Sequence, residues 1–245
     1  MEQGDTELPP RRPYGRMVPS QRRHSQEDQT IPVVFPGLVT RESCYRFTCE
    51  LLKHIFHQRH QIPLPYEQLL GFTKTPQEDA GKKRSRADVS ESHNCRRTMS
   101  QLEELICQLE IFFTITPVPR VLLLLGGNSM NPKEMYDLNM EGVNVGNGEQ
   151  SLSTRPCLRQ LFRALFQADP FSDLRSSPLM SLVVMAQGQR QCGTDWFLPK
   201  LSFRVPSRGR TLTIKMSCAD CASLEQSSED YIWFQAPITI KGFQN

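Results

Sequence analysis

An α+β fold is predicted, with helices packed on one face of a mainly antiparallel sheet. Three observations predict it. Apolar residues recur at helical spacing in three stretches, about 43–60, 96–114 and 155–168. Beyond Pro170 the apolar period drops from 3.6 to 2. Between these regimes lies one unbroken apolar run, Val121-Leu-Leu-Leu-Leu125, which comes after Pro117 and Pro119 and fits a strand buried on both faces. The chain has 245 residues, enough for one large core, and no internal repeat is visible.

Residues 1–30 carry Pro9-Pro-Arg-Arg-Pro13 and Gln21-Arg-Arg-His-Ser-Gln-Glu-Asp-Gln29 with almost no apolar side chains. Such a segment cannot offset its ordering entropy by burial, so a disordered tail is expected, and then one domain over 31–245. Ile31-Pro-Val-Val-Phe-Pro-Gly37 is a short extended segment. In the first helix Tyr45, Phe47, Thr48, Leu51, Leu52, Ile55 and Phe56 form the apolar face, with Thr40 or Ser43 as cap. Ile62-Pro-Leu-Pro-Tyr66 breaks it, and one more helical turn can form at 66–72. Residues 74–95 are polar and carry Lys82, Lys83, Arg84 and Arg86, which predicts a flexible basic loop. In the second long helix Met99, Leu102, Leu105, Ile106 and Leu109 line the apolar face. Residues 126–150 read as loop, with a turn of helix at 132–138. After the third helix, 182–186 is a strand, 201–205 and 211–218 alternate and read as an antiparallel hairpin around Pro206-Ser-Arg-Gly209, and 231–241 forms a last long strand broken at Pro237.

The third helix is unusual. Cys157, Leu158, Leu161, Phe162, Ala164, Leu165, Phe166 and Ala168 fill an arc of roughly 200° at 100° per residue, where a one-sided helix needs little more than about 100°. It is therefore nearly buried, or it packs on its own core along one edge and on a partner along the other. Leu161 and Leu165 are expected to face the core. Phe162 lies towards the flank occupied by Arg159 and Arg163, the composition of an interface hot spot.

Bulk properties exclude several classes. A net charge of +3 is too weak to imply nucleic acid. The longest apolar run is far short of a membrane span, and no apolar leader comes after Met1, so neither membrane nor secretion is expected. The eight cysteines lie mostly in apolar patterns and read as buried hydrophobes. His54, His57 and His60 recur every three residues, but a metal would need further ligands that the sequence does not name, so they read as a polar flank. Cys218-Ala-Asp-Cys221 is a single CxxC without a second pair or a βαβ context. Gly126-Gly-Asn128 lacks a nucleotide-loop pattern, and neither GxSxG nor HExxH occurs. No enzyme, metal or cofactor is expected. Lys82, Lys83, Arg84 and Arg86 are compatible with a nuclear localisation element or a solvated loop.

Longer strings are distinctive: Pro32-Val-Val-Phe-Pro-Gly37, Phe47-Thr-Cys-Glu-Leu-Leu-Lys-His54, Pro119-Arg-Val-Leu-Leu-Leu-Leu-Gly-Gly-Asn128, Val183-Val-Met-Ala-Gln-Gly188, Val205-Pro-Ser-Arg-Gly209 and Asp230-Tyr-Ile-Trp-Phe-Gln-Ala-Pro237. From about residue 31 to the end the chain resembles the comet family of HORMA-like, Mad-two-binding spindle-checkpoint proteins. The resemblance implies three helices against an antiparallel sheet with the C-terminal segment wrapped in as a strand. It implies binding to closed Mad-two through the central helix, with Gln58 and Phe162 matching partner-facing positions. It implies an adaptor that presents closed Mad-two to a Pch-two-type hexameric AAA+ ATPase, with Pro199 and Lys200 in the region associated with that ATPase, and so silences the checkpoint. Nucleus, cytoplasm and mitotic spindle are the locations that go with it. The other reading is a HORMA-type module that clamps a short peptide by strand addition.

Overall fold

The computed structural model describes residues 28–74, 86–146, 148–172, 174, 177–219 and 230–244. The elements are β1 (Gln29–Phe35), α1 (Arg41–Gln58), α2 (Tyr66–Lys74), α3 (Arg86–Ile115), β2 (Arg120–Gly126), β3 (Pro132–Gly142), α4 (Thr154–Ala168), β4 (Ser181–Gln189), β5 (Leu198–Lys200), β6 (Arg210–Cys218), β7 (Tyr231–Gln235) and β8 (Ile240–Lys241). They form one sheet in the order β1-β6-β3-β2-β4-β7-β5, with β8 also on β4. The fold class is the predicted one: an α+β, HORMA-like arrangement with helices on a mainly antiparallel sheet. Among the described residues no helix is long and apolar enough to cross a membrane.

Helix α1 starts where Thr40 accepts a hydrogen bond from the Ser43 amide, at 3.0 Å. This satisfies one of the amides that a helix start leaves open. Its buried face, Phe47, Leu51, Leu52, Ile55 and Phe56, is the one read from periodicity. Helix α4 stops at Asp169, which takes a left-handed conformation (φ 39°) ahead of Pro170 while its amide still reaches the Leu165 carbonyl. The helices cover one sheet face, on which Val33, Phe35, Leu123, Leu125, Val184, Leu212 and Ile214 are buried. Strand β2 is buried on both faces, as its unbroken apolar run predicts: Leu122 and Leu124 join Met135, Val183, Met185 and Trp233 in a second cluster on the outer face. α3 approaches the sheet closely, and Gly188 makes room for it, because a Cβ there would lie 2.7 Å from the Phe112 ring.

The structure corrects four expectations. Residues 132–142 form a strand, not loop or helical turn. Glu134 and Asp137 hid it, since buried carboxylates break the apolar pattern. Both are neutralised from a distance, Glu134 by Arg59 and Asp137 by Arg120 at 2.7 Å. The hairpin of 201–205 with 211–218 does not form. β6 instead lies between β1 and β3 and is parallel to both. The alternation in 201–205 is real but serves another purpose: Phe203 and Val205 cover the outer cluster, with Phe203 edge-on to Trp233 at 5.7 Å. The extended segment at 31–37 belongs to a full strand that begins at Gln29, inside the expected tail. Finally, α3 begins at Arg86, within the expected loop of 74–95. Its first turns lack an apolar stripe, and helix propagation from the anchored part needs none. The rest of that loop, with Lys82, Lys83 and Arg84, and residues 1–27 lie outside the described residues, as does Cys221.

The C-terminal segment is inside the sheet, as predicted. β7 lies between β4 and β5, and β8 returns to β4. Gln61 ties the chain just before β4 to the chain just after β8. Its side chain accepts from the Met180 amide (2.6 Å) and donates to the Arg59 and Pro178 carbonyls, while its own carbonyl accepts from the Phe243 amide (2.8 Å). A Cβ on Gly242 would meet the Gln61 carbonyl oxygen at 2.5 Å, so only glycine fits there.

Candidate partner interface

Helix α4 divides its apolar arc as the wheel requires. Cys157, Leu161 and Leu165 are buried in the core. Phe162 sits half-buried on the flank, and Phe166 is 63% exposed. Arg155, Arg159 and Arg163 are exposed beside them. Four-residue spacing puts Phe162 next to Phe166 and Arg159 next to Arg163 on the helix surface. The flank is thus a pair of phenylalanine rings, 5.8 Å apart, bordered by arginines. The sequence places Phe162 at the interface; the more open ring is Phe166, one turn on.

α1 supplies the other half of the surface. His54 packs against both rings and against Phe171. Gln58 is one turn further along the same face of α1, half-buried, and its side chain makes no hydrogen bond among the described residues. Beside it, a groove of about 190 Å³ is lined by Lys53, His54, His57, Tyr66, Glu67 and Phe162. Lys53 reaches Glu50 on α1 and Glu67 on α2 at 2.6 Å each, which ties α2 to the groove's rim. His54 and His57 are held below the ordinary histidine range, first by burial and then by their neighbouring histidines, so both are neutral at physiological pH. The structure therefore places Arg159, Phe162 and Arg163 together on one flank of α4, and Gln58 on α1 one turn past the histidine that touches Phe162.

The end of α1 is anchored just beneath that surface. Arg59 is buried and makes a bidentate pair with Glu134, at 2.8 and 2.6 Å, and also donates to Ser177. Tyr136 donates to the same carboxylate at 2.7 Å. Burial alone would raise the Glu134 carboxyl, but the bonds from Arg59 and Tyr136 outweigh it and hold the group below the usual carboxylate range. Burial and the Glu134 charge push the Tyr136 phenol far up, so it remains a donor.

Pro199 and Lys200 lie elsewhere. They belong to β5, the last strand of the sheet, opposite Phe234 and Trp233 of β7. Leu198 and Leu201 are exposed next to them, at 44% and 69%. α4, by contrast, packs at the other edge, where Gln160 donates to the Val34 carbonyl of β1.

Cys44 and Cys49 are buried, which pushes both thiols up to about 12 and leaves them protonated. Among the described residues no group of three or more His, Cys, Asp or Glu is placed to hold a metal ion.

The exposed aromatic and basic flank on the central helix of this HORMA-like domain has the composition of a protein-docking surface. The chain belongs to the p31comet family, described as "Mad1 and Cdc20-bound-Mad2 binding", whose pattern matches residues 15–245. It is 54% identical over 221 residues to the MAD2L1-binding protein of Homo sapiens, covering 89% of this chain and 81% of that protein. It is 53% identical over 216 residues to the MAD2L1-binding protein of Mus musculus, covering 87% and 78%.

Proposed function

We propose that this chain is a non-enzymatic adaptor of the spindle assembly checkpoint. It binds the closed conformer of Mad-two (Mad2) through α4 and the end of α1. It presents that conformer to a Pch2-type hexameric AAA+ ATPase, which disassembles the mitotic checkpoint complex and so silences the checkpoint. It acts in nucleus and cytoplasm and on the mitotic spindle. The observation that carries the reading is the flank of α4: Phe162 and Phe166 with Arg159 and Arg163, left open beside Gln58. Aromatic and arginine side chains at the centre of a patch are the usual carriers of binding energy. Family membership and the names of the human and mouse relatives support Mad2 as the partner. Pro199 and Lys200, with exposed Leu198 and Leu201, form the surface for the ATPase. ATP chemistry belongs to that partner, so no catalytic residue is required here.

Co-elution with Mad2 locked in the open or closed form tests the reading. The closed form should co-elute and the open form should not; equal behaviour of both would sink the conformer preference. The position of β5 at the end of the sheet, with no further strand on it among the described residues, favours a second reading, a module that captures a short peptide as an added strand. That reading predicts binding insensitive to substitutions on α4.

A further inference from the structure

We propose that His54 is the positioning residue of this docking surface: its imidazole, set between α1 and α4, holds the rings of Phe162 and Phe166 in the orientation that the partner meets. The inference rests on the reading of α4 as the Mad2-binding surface.

The geometry is that of a wedge. The imidazole centre lies 5.3 Å from the Phe162 ring, 5.6 Å from Phe166 and 5.9 Å from Phe171, with interplanar angles of 80°, 71° and 67°. All three are edge-on contacts in the range where aromatic pairs attract. Two of these rings face outward on α4. The third is the base: Phe171 packs against Tyr136 at 6.2 Å, and the Tyr136 hydroxyl is held by Glu134 and, through it, by Arg59. His54 is thus seated on a fixed support and passes that rigidity to one half-buried ring, Phe162, and one exposed ring, Phe166. Among the described residues it makes no hydrogen bond, so packing is what its ring contributes.

This answers a question that α4 raises by itself. Phe166 is 63% exposed, and a ring that open would sample several rotamers if nothing flanked it. Ordering it at the moment of docking would lower affinity, whereas a ring already in place costs nothing further. The histidine repeat His54, His57 and His60, whose last member lies past the end of α1 with φ 53°, also gains an explanation at its first position. His60 is exposed and His57 borders the groove, but only His54 reaches the phenylalanines.

The test uses the full chain and closed Mad2 in titration calorimetry, with thermal melts and aromatic NMR of Phe162 and Phe166. His54→Ala should bind about tenfold or more weakly, a loss above about 1.4 kcal/mol. The Phe162 and Phe166 ring resonances should move towards the values of freely rotating side chains. His54→Phe, which keeps a ring at the same place, should restore both the affinity and the resonances. Native-like binding by His54→Ala overturns the proposal, and so does a His54→Phe variant as weak as His54→Ala. Loss of fold in His54→Ala with unchanged ring resonances in the folded fraction overturns it too. Phe162→Ala, run in parallel, separates the two levels. If it abolishes binding while His54→Ala does not, only the positioning role falls; if it binds like the native chain, the docking surface itself is misplaced.

Discussion

Two side chains three positions apart on α4 should answer substitution in opposite ways. Leu165 is 1% exposed in the core, and Phe162 is half-buried on the open flank. Leu165→Ala leaves a cavity and should cost about 2–5 kcal/mol of stability. Phe162→Ala should leave the melting temperature near the native value and weaken closed Mad2 binding by about 2 kcal/mol or more. Gln58→Ala should act with it, through a lost hydrogen bond at the same surface. Melts and calorimetry on each variant check this; a Phe162→Ala chain that unfolds would make the whole arc of α4 core. Glu134 gives a pH signature. Its carboxyl is depressed in the folded state, so its contribution is present above the ordinary carboxylate value and is lost as pH falls through the folded value. The native melting temperature should therefore fall below pH 4.5, the reference value for this group, and the fall should be shallower in Glu134→Gln. That variant should also lose roughly 3 kcal/mol at neutral pH, because Arg59 keeps its buried charge without its partner.

At the scale of elements, what periodicity can express is legible in the sequence. α1, the C-terminal part of α3, α4 and the doubly buried β2 can be read from which residues repeat at 3.6 and which run unbroken. β3 is not legible, because its strand character depends on Arg59, which lies 75 residues from Glu134, and no local pattern announces a distant cation. Nor is the pairing of β6, since alternation fixes which face is buried but not which neighbour lies alongside. The interface divides in the same way. Leu161, Phe162 and the arginines can be placed by the wheel, and so can Phe166, which the wheel sets between Phe162 and Arg159. His54 cannot, because its role depends on where α1 crosses α4. The C-terminal elements make a further prediction. Ile232, Phe234, Ile240 and Phe243 are buried, and each fully buried side chain of this kind is worth about 1.5–3 kcal/mol. A chain ending at Asp230 loses all four, which is comparable to the stability of a whole domain. It should fail to show a cooperative unfolding transition. Gly242→Ala is the milder probe: its Cβ would strike the Gln61 carbonyl, so the transition should survive at a lower midpoint.

At the scale of the molecule, the sheet separates two surfaces. α4 packs beside β1 at one edge, and β5 with Pro199 and Lys200 forms the other. Along the strand order β1 and β5 are six inter-strand steps apart, which at about 4.8 Å per step is roughly 29 Å. Side chains cannot span that distance, so a substitution confined to one edge does not disturb the other, as the proposed adaptor role needs. Substitutions at the two edges should therefore separate binding from release. Phe162→Ala should weaken closed Mad2 binding by about 2 kcal/mol or more and slow, with it, the ATPase-driven disassembly proposed for this chain. Pro199→Ala with Lys200→Ala should leave closed Mad2 binding at the native affinity, since nothing at β5 reaches α4. Disassembly should still fail, because on the proposed reading the complex forms but is not delivered. Mixing equal amounts of the two variant chains should not rescue the reaction, since on the proposed reading each molecule holds both partners at once. The measurement is calorimetric affinity for closed Mad2 alongside the rate of checkpoint-complex disassembly with the ATPase and ATP. A β5 variant that loses Mad2 affinity, or a mixture that restores disassembly, would mean that the two edges do not work as separate hands of one adaptor.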